Sequence, residues 1–381
     1  MKNRFIGTTE KRFLALIFVF LSVFLFYLTF LVPISFRDMW KEIKIPEGAT
    51  YSKGISILKE GGIIKNEFTF LVLGKLTMTD RKLRAGYYNL NTSMTPWEVF
   101  NHLRKGMIVQ YTITIPEGSI LEDTILKLKD KGLIDPGSEE LVMDNDFLAS
   151  LNIEAPSLEG YIYPDTYNFA KGADPGDIFR IMVHRLRENF DMSLQKKAEE
   201  LGMSEREVLT LASIIENEVI FNRERPIISA VYHNRLKKKM RLQADPTVVY
   251  GIKRMQDGIT RSDLKRKTPY NTYSIYGLPP GPISSPGIKS IKAALYPADV
   301  DYMYFVSKND GTHYFSRTGK EHKKAVMLYQ RGKRFPETRP EPVTAEEPLR
   351  EPVLNDQTGG YADSPGTGSK NENADKKKKA N

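Results

Sequence analysis

Residues 13–34 read FLALIFVFLSVFLFYLTFLVPI, a run of 22 without a charge. In a bilayer such a segment must satisfy its backbone internally, and as a helix it would extend about 33 Å, enough to cross the hydrocarbon core. The run is too long for the apolar region of a cleaved leader, and no A-x-A-like cleavage site follows it. The expectation is therefore a retained single-pass anchor. Lys2, Arg4, Lys11 and Arg12 precede it, and Arg37, Lys41 and Lys44 follow. The short N-terminal tail and the slight excess of cations before the run put residues 1–12 in the cytoplasm and residue 35 onward outside.

That placement limits the chemistry of the rest. The chain has no cysteine, and its five histidines, at 102, 184, 233, 313 and 322, include no H-x-x-x-H pair, so no zinc site or other cofactor is expected. A net charge of +9 suits an anionic partner, but export of the body argues against nucleic acid. Length leaves room for two domains.

After the anchor comes an internal repeat. Ile45-Pro46-Glu47-Gly48 returns 70 residues later as Ile115-Pro116-Glu117-Gly118, and Leu58, Gly62 and Ile64 match Leu128, Gly132 and Ile134. Each copy reads as a strand ending in Pro-Glu-Gly, a helix, and a glycine turn into an apolar residue. Two copies are too few for a solenoid, so a pair of related small α/β modules is expected. Between them Gly86–Leu90 reads as a strand, and Thr95-Pro96-Trp97 caps a helix through Leu103. Tyr161, Tyr163, Tyr167 and Phe169 alternate as on one strand face, and residues 176–203 look helical.

Ser204 and Glu207 form a capping box, predicting a helix from Glu205. Val208, Leu211, Ala212, Ile215 and Val219 then make one apolar face, with Glu216 and Glu218 on opposite flanks. A carboxyl at the edge of an apolar face can be desolvated enough to act as a general acid near neutrality, though both glutamates would also suit a solvated face. A second amphipathic helix is expected over Ile227–Leu242, with Arg235, Lys237, Lys238, Lys239 and Arg241 as a solvated stripe. Pro246 disfavours helical backbone at Asp245, so 242–251 should be a loop. Residues 268–287 hold too many prolines and glycines for regular structure, and ordered loops of that length are commonly functional. Asp310-Gly311 between Tyr302–Val306 and His313–Ser316 signals a C-terminal hairpin. From about 335 to 381 the Pro-, Glu- and Lys-rich composition predicts a disordered tail.

No G-x-S-x-G or P-loop occurs, and Ser193-Leu194-Gln195-Lys196 lacks the companion motifs of a serine acyl enzyme. A carboxylate enzyme or a non-catalytic wall-binding protein remains. The runs Ala212–Glu218, Asn234-Arg235-Leu236, Leu242–Thr247, Tyr250-Gly251, Tyr270–Tyr273, Gly277–Gly281 and Tyr304-Phe305-Val306 resemble the MltG (YceG-like) family of endolytic murein transglycosylases. Glu159-Gly160, Pro164–Tyr167, His313, Phe315 and His322 extend the resemblance to roughly residues 40–330.

The resemblance implies an α+β architecture: anchor at 13–34, LysM-like module at 43–110, and a catalytic domain at 111–334 around one central helix. It implies cleavage of MurNAc–GlcNAc bonds in nascent glycan strands to 1,6-anhydroMurNAc ends at the cytoplasmic membrane, near peptidoglycan synthases. It puts the catalytic glutamate after Ser-Ile-Ile, at Glu216. Glu218, Gln243, Asp245, Thr247, Asn271 and Tyr273 become candidates for substrate contact, each equally able to hold its loop. Where relatives often have Glu-Lys-Glu-Thr, this chain has Glu216-Asn217-Glu218-Val219.

Overall fold

The computed structural model describes residues 8–253 and 257–330. The sequence expectation of a disordered tail lies outside them. Helix α1 (Thr8–Phe30) carries a span, Arg12–Phe30, long and apolar enough to cross a membrane, with none of it buried in protein. It ends earlier than the apolar run, because Pro33 opposes helical backbone at Val32.

The first module runs β1 (Trp40–Ile45), α2 (Tyr51–Glu60), α3 (Glu67–Leu76), β2 (Gly86–Asn91) and α4 (Pro96–Lys105). β1 and β2 pair antiparallel, with Ile43 opposite Tyr88. Ile43, Ile45, Ile55, Leu58, Phe70, Tyr88, Leu90, Phe100 and Leu103 form its own core. Thr95 and Glu98 close a capping box on α4, with Pro96 at its first position.

The repeat is structural. β3 (Gln110–Thr114) and α5 (Leu121–Asp130) reproduce β1 and α2. The two Pro-Glu-Gly turns hold Gly48 and Gly118 at φ +70° and +77°, a region that costs glycine little. The amide of Ile63 donates to Leu58 O, and that of Leu133 to Leu128 O, both at 2.9 Å. The copies then diverge. α6 (Asn145–Ser150) leads to β4 (Thr166–Ala170), which pairs antiparallel with β3, and Ile113 faces Tyr167 as Ile43 faces Tyr88. The α5 N-terminus has no cap from its own Ile120; the buried carboxylate of Glu159 accepts the Leu121 amide instead, at 3.1 and 3.2 Å.

Tyr161 and Tyr163 are buried before β4 rather than in it, so the four aromatics do not share one strand. The helical stretch after it is two helices, α7 (Pro175–Asn189) and α8 (Met192–Glu200), because Asp191 starts a new helix by capping Ser193 and Leu194.

At the centre lies α9 (Glu205–Glu218), capped by Ser204 and Glu207 as expected. It is buried all round from Val208 to Ile215, not along one stripe, since neighbours cover its polar side too. Ser213 is spent internally, donating to Thr210 O at 2.8 Å and accepting from the Ile283 amide at 3.0 Å.

Next, α10 (Arg225–Lys237) is shorter than the expected 227–242 helix. Lys239 turns to φ +52° and breaks it. Arg235 is buried, not solvated: it donates to Met303 O at 2.7 Å and to Leu242 O, tying two later segments together. The loop at 242–251 contains a one-turn helix, α11 (Pro246–Val249), and Asp245 is αR at φ −56°, ψ −42°. The expected exclusion of helical backbone before Pro246 is overridden there by tertiary packing. α12 (Arg261–Lys265) precedes the irregular segment 266–287, and α13 (Ile288–Leu295) packs along α9, where Ser290, Ala293 and Ala294 allow close approach. β5 (Tyr304–Ser307) and β6 (His313–Ser316) form the hairpin, and α14 (Gly319–Tyr329) packs on it.

Candidate active site

The last turn of α9 presents three polar side chains to three different surroundings. Glu216 turns toward α10 and α13. Its Oε1 pairs with Arg225 Nη1 at 2.8 Å and its Oε2 accepts the Gly287 amide at 2.9 Å, with both charged side chains more than nine-tenths buried. Arg225 also donates to Asn222 Oδ1 and Ser290 Oγ. Asn217 donates to Ser213 O at 2.8 Å and to Ser284 Oγ at 2.7 Å, pinning the Pro-rich segment to the helix.

Glu218 faces the other way. The Tyr232 hydroxyl of α10 donates to its Oε1 at 3.1 Å. Burial, with the Asp245 carboxylate adding to it, pushes the Glu218 carboxyl up to about 7 against the opposing pull of the Tyr232 hydrogen bond. Only one other carboxyl among the described residues is held near 7: Glu159, chiefly by burial. Glu159 is enclosed, with the Leu121 amide and the Tyr250 hydroxyl on its oxygens. Glu218 instead lines a cleft of about 230 Å³ with Asn217, Val219, Ile220, Ser307, Gly311 and His313.

His313 enters the cleft from β6. Its Nδ1 lies 2.7 Å from Glu224 Oε2, and its backbone amide donates to Oε1 at 3.1 Å. With Nδ1 donating to the carboxylate, Nε2 is the nitrogen left to meet a ligand. Close to Glu218, the Tyr273 hydroxyl donates to Asp245 Oδ1 at 2.6 Å.

Of the residues expected to contact substrate, Glu218, Asp245 and Tyr273 are thus brought together. Gln243 is exposed at φ +51° beside them, its amide on Thr272 O. Thr247 and Asn271 are not available to a ligand. Both are fully buried: Thr247 Oγ1 donates to Ala244 O at 2.6 Å, and Asn271 Nδ2 to Arg266 O at 2.6 Å. They shape the loops that carry Asp245 and Tyr273. Tyr232, Arg225 and the Glu224–His313 pair were missed by residue pattern, since their partners lie 9 to 89 positions away in sequence. Among the described residues no cluster of three His, Asp or Glu side chains could hold a metal.

The body is mixed α+β, with two glutamates at the end of a buried helix, of which Glu218, its carboxyl pushed up by burial, lines the cleft. The YceG-like family profile matches residues 43–327, and the chain belongs to that family. It is 36% identical over 309 residues to the endolytic murein transglycosylase of Bacillus subtilis, covering 75% of this chain and 84% of that one. The endolytic murein transglycosylase of Streptococcus pneumoniae R6 is 27% identical over 325 residues, 76% of this chain and 58% of the relative. A crystal structure of a YceG-like protein from Listeria monocytogenes superimposes with a TM-score of 0.52 at 34% identity, covering 76% of this chain and all of that one.

Proposed function

We propose that the chain is a membrane-anchored endolytic lytic transglycosylase of murein, and that Glu218 is the carboxyl that moves the proton. The carrying observation is the setting of Glu218: pushed up to about 7 by burial despite the Tyr232 hydroxyl beside it, and lining the cleft. This reassigns the role that resemblance gave to Glu216. Both oxygens of Glu216 are already committed, to Arg225 and Gly287, in a buried ion pair. Glu216 holds α10 and the α13 N-terminus to the end of α9 and so positions its neighbour.

In this reading protonated Glu218 gives its proton to the glycosidic oxygen as the MurNAc C1–O bond to GlcNAc breaks. Positive charge develops at C1 and the ring oxygen, facing the Asp245 carboxylate, which Tyr273 holds in place. The 6-hydroxyl of the same muramyl residue attacks C1, and its proton passes to the Glu218 carboxylate. The product carries a 1,6-anhydro ring, and the acid is regenerated. One carboxyl suffices because no water has to be activated, unlike in glycoside hydrolysis, where a second carboxylate is usual. In this reading His313, from the cleft, and the exposed Gln243 meet sugar hydroxyls or the N-acetyl group.

α1 supplies a single-pass anchor, with the body on the outer face of the cytoplasmic membrane. There the cleft meets nascent strands beside their synthases, and cutting them terminates polymerisation. The β–α–α–β order of the first module supports a LysM-like reading of it. Incubating the soluble body with purified murein should release fragments with anhydro-muramyl ends; release of reducing ends alone, or murein binding without cleavage, would overturn the assignment.

A further inference from the structure

The first module gathers a group of exposed large apolar side chains at one end, while Leu76, Met78 and Met107 are exposed singly away from it. Phe36 is 87% exposed, Met39 49%, Trp40 61%, Phe68 72% and Trp97 42%. They come from separate elements, namely the α1–β1 link, the start of β1, the first turn of α3 and the first turn of α4. The fold gathers them. Lys41 Nζ donates to Gly61 O at 2.8 Å, which brings the end of α2 beside the start of β1, and Lys59 pairs with Glu67 at 3.2 Å at the start of α3. Trp97 is held by stacking on Phe100 of the module core, with ring centroids 5.9 Å apart.

This end is also the one tied to α1. The Ser35 amide donates to Thr92 O at 3.2 Å, Thr92 Oγ1 to Arg37 O at 2.6 Å, and Asn91 Nδ2 to Asp38 Oδ1 at 2.6 Å. Only residues 31–34 separate the end of α1 from the first of these bonds. Four residues reach at most about 14 Å. The end of α1 lies against α4. If the apolar span of α1 fills the hydrocarbon core, the exposed rim falls within the headgroup layer, where tryptophan is favoured for its apolar body and its polar N–H.

We infer that this rim is a membrane-docking surface, seated in the lipid headgroup–acyl boundary, which fixes the first module against the bilayer instead of leaving it to swing on a tether. The occupant is lipid, and the acidic side chains near the rim, which would repel headgroup phosphates, are already paired or bonded. Glu67 is paired with Lys59, Glu42 with Lys171, and Asp38 is bonded to Asn91 and Ser93. The inference rests on reading α1 as a retained anchor.

The chain's only two tryptophans are Trp40 and Trp97, so its intrinsic fluorescence reports on the rim. The full chain carrying Trp40→Phe is reconstituted in phosphatidylcholine vesicles, with and without bromine near the glycerol end of the acyl chains. Trp97 emission should fall about twofold in the brominated lipid, as for an interfacial indole, and adding Phe36→Ser and Phe68→Ser should restore most of it. A parallel chain with Trp40→Phe, Trp97→Phe and Phe26→Trp, its reporter about 6 Å inside the outer end of the span, reports on α1 itself. Quenching of that reporter with Trp97 unquenched would overturn docking and leave the anchor standing. If neither is quenched, the anchor reading falls and docking with it.

Discussion

Replacing Glu218 with Gln separates the chemistry from the fold. The amide keeps the shape and can still accept the Tyr232 hydroxyl, but it cannot cycle a proton. Loss of general acid–base catalysis costs about 10²–10⁴-fold or more, so release of anhydro-ended fragments should drop at least that far while the circular dichroism stays native. Stability should move the opposite way. The Glu218 carboxyl titrates near 4.5 when unfolded and at about 7 in the fold. Its contribution is therefore fully present below pH 4.5 and is lost as pH rises through 7. That loss is of order 3 kcal/mol, reduced by the partial solvent access of the carboxyl. Glu218→Gln should flatten the decline in stability between pH 4.5 and 7 and leave the variant at least as stable as the parent at pH 8. In the parent, kcat/KM should fall as pH rises above about 7, because the acid must start protonated. Glu216→Gln should look different. It strips a buried arginine of its counter-charge, costing about 3–5 kcal/mol of stability, and Arg225→Gln added to it should recover part of that loss. A stable Glu216→Gln protein with no turnover, alongside a Glu218→Gln protein with near-full turnover, would refute the reassignment.

Other outcomes are expected from the same geometry. His313→Gln keeps a donor toward Glu224 but alters the group facing the cleft, so kcat/KM should fall by roughly 10-fold to 10²-fold with an unchanged melting temperature. Gly160→Ala should destabilise by about 2–5 kcal/mol in urea unfolding, since Gly160 sits at φ +79° and a Cβ there would lie 2.2 Å from Pro282 Cβ. Gly287→Ala should cost much less by the same measurement, because the atoms nearest its added Cβ belong to the flexible, exposed side chain of Glu117. A phosphatase fused after residue 335 should be active only if the body lies outside the membrane; activity of a cytoplasmic reporter at that site would reverse the topology.

Local signals made much of this chain legible. The apolar helix, the capping boxes at Ser204 and Thr95, the repeated Pro-Glu-Gly turns and the Asp310-Gly311 hairpin depend on neighbours within a few residues, so sequence alone determined them. Sequence likewise brought Glu216 and Glu218 to the end of one helix. It could not rank them, because helical spacing fixes the angle between two side chains but not what each one meets. Arg225 and Gly287 closed over Glu216, while Tyr232, Asp245 and the Glu224–His313 pair framed Glu218. The same limit misled on Arg235, whose basic neighbours suggest solvent while Met303 O and Leu242 O take it inside. For Thr247 and Asn271, which by sequence could touch sugar or hold their loops, the structure shows buried hydrogen bonds within those loops. A carboxyl's proton affinity is set by desolvation and by charges a few ångströms away. Those neighbours are distant in sequence, so tertiary packing alone decided which glutamate faces the cleft.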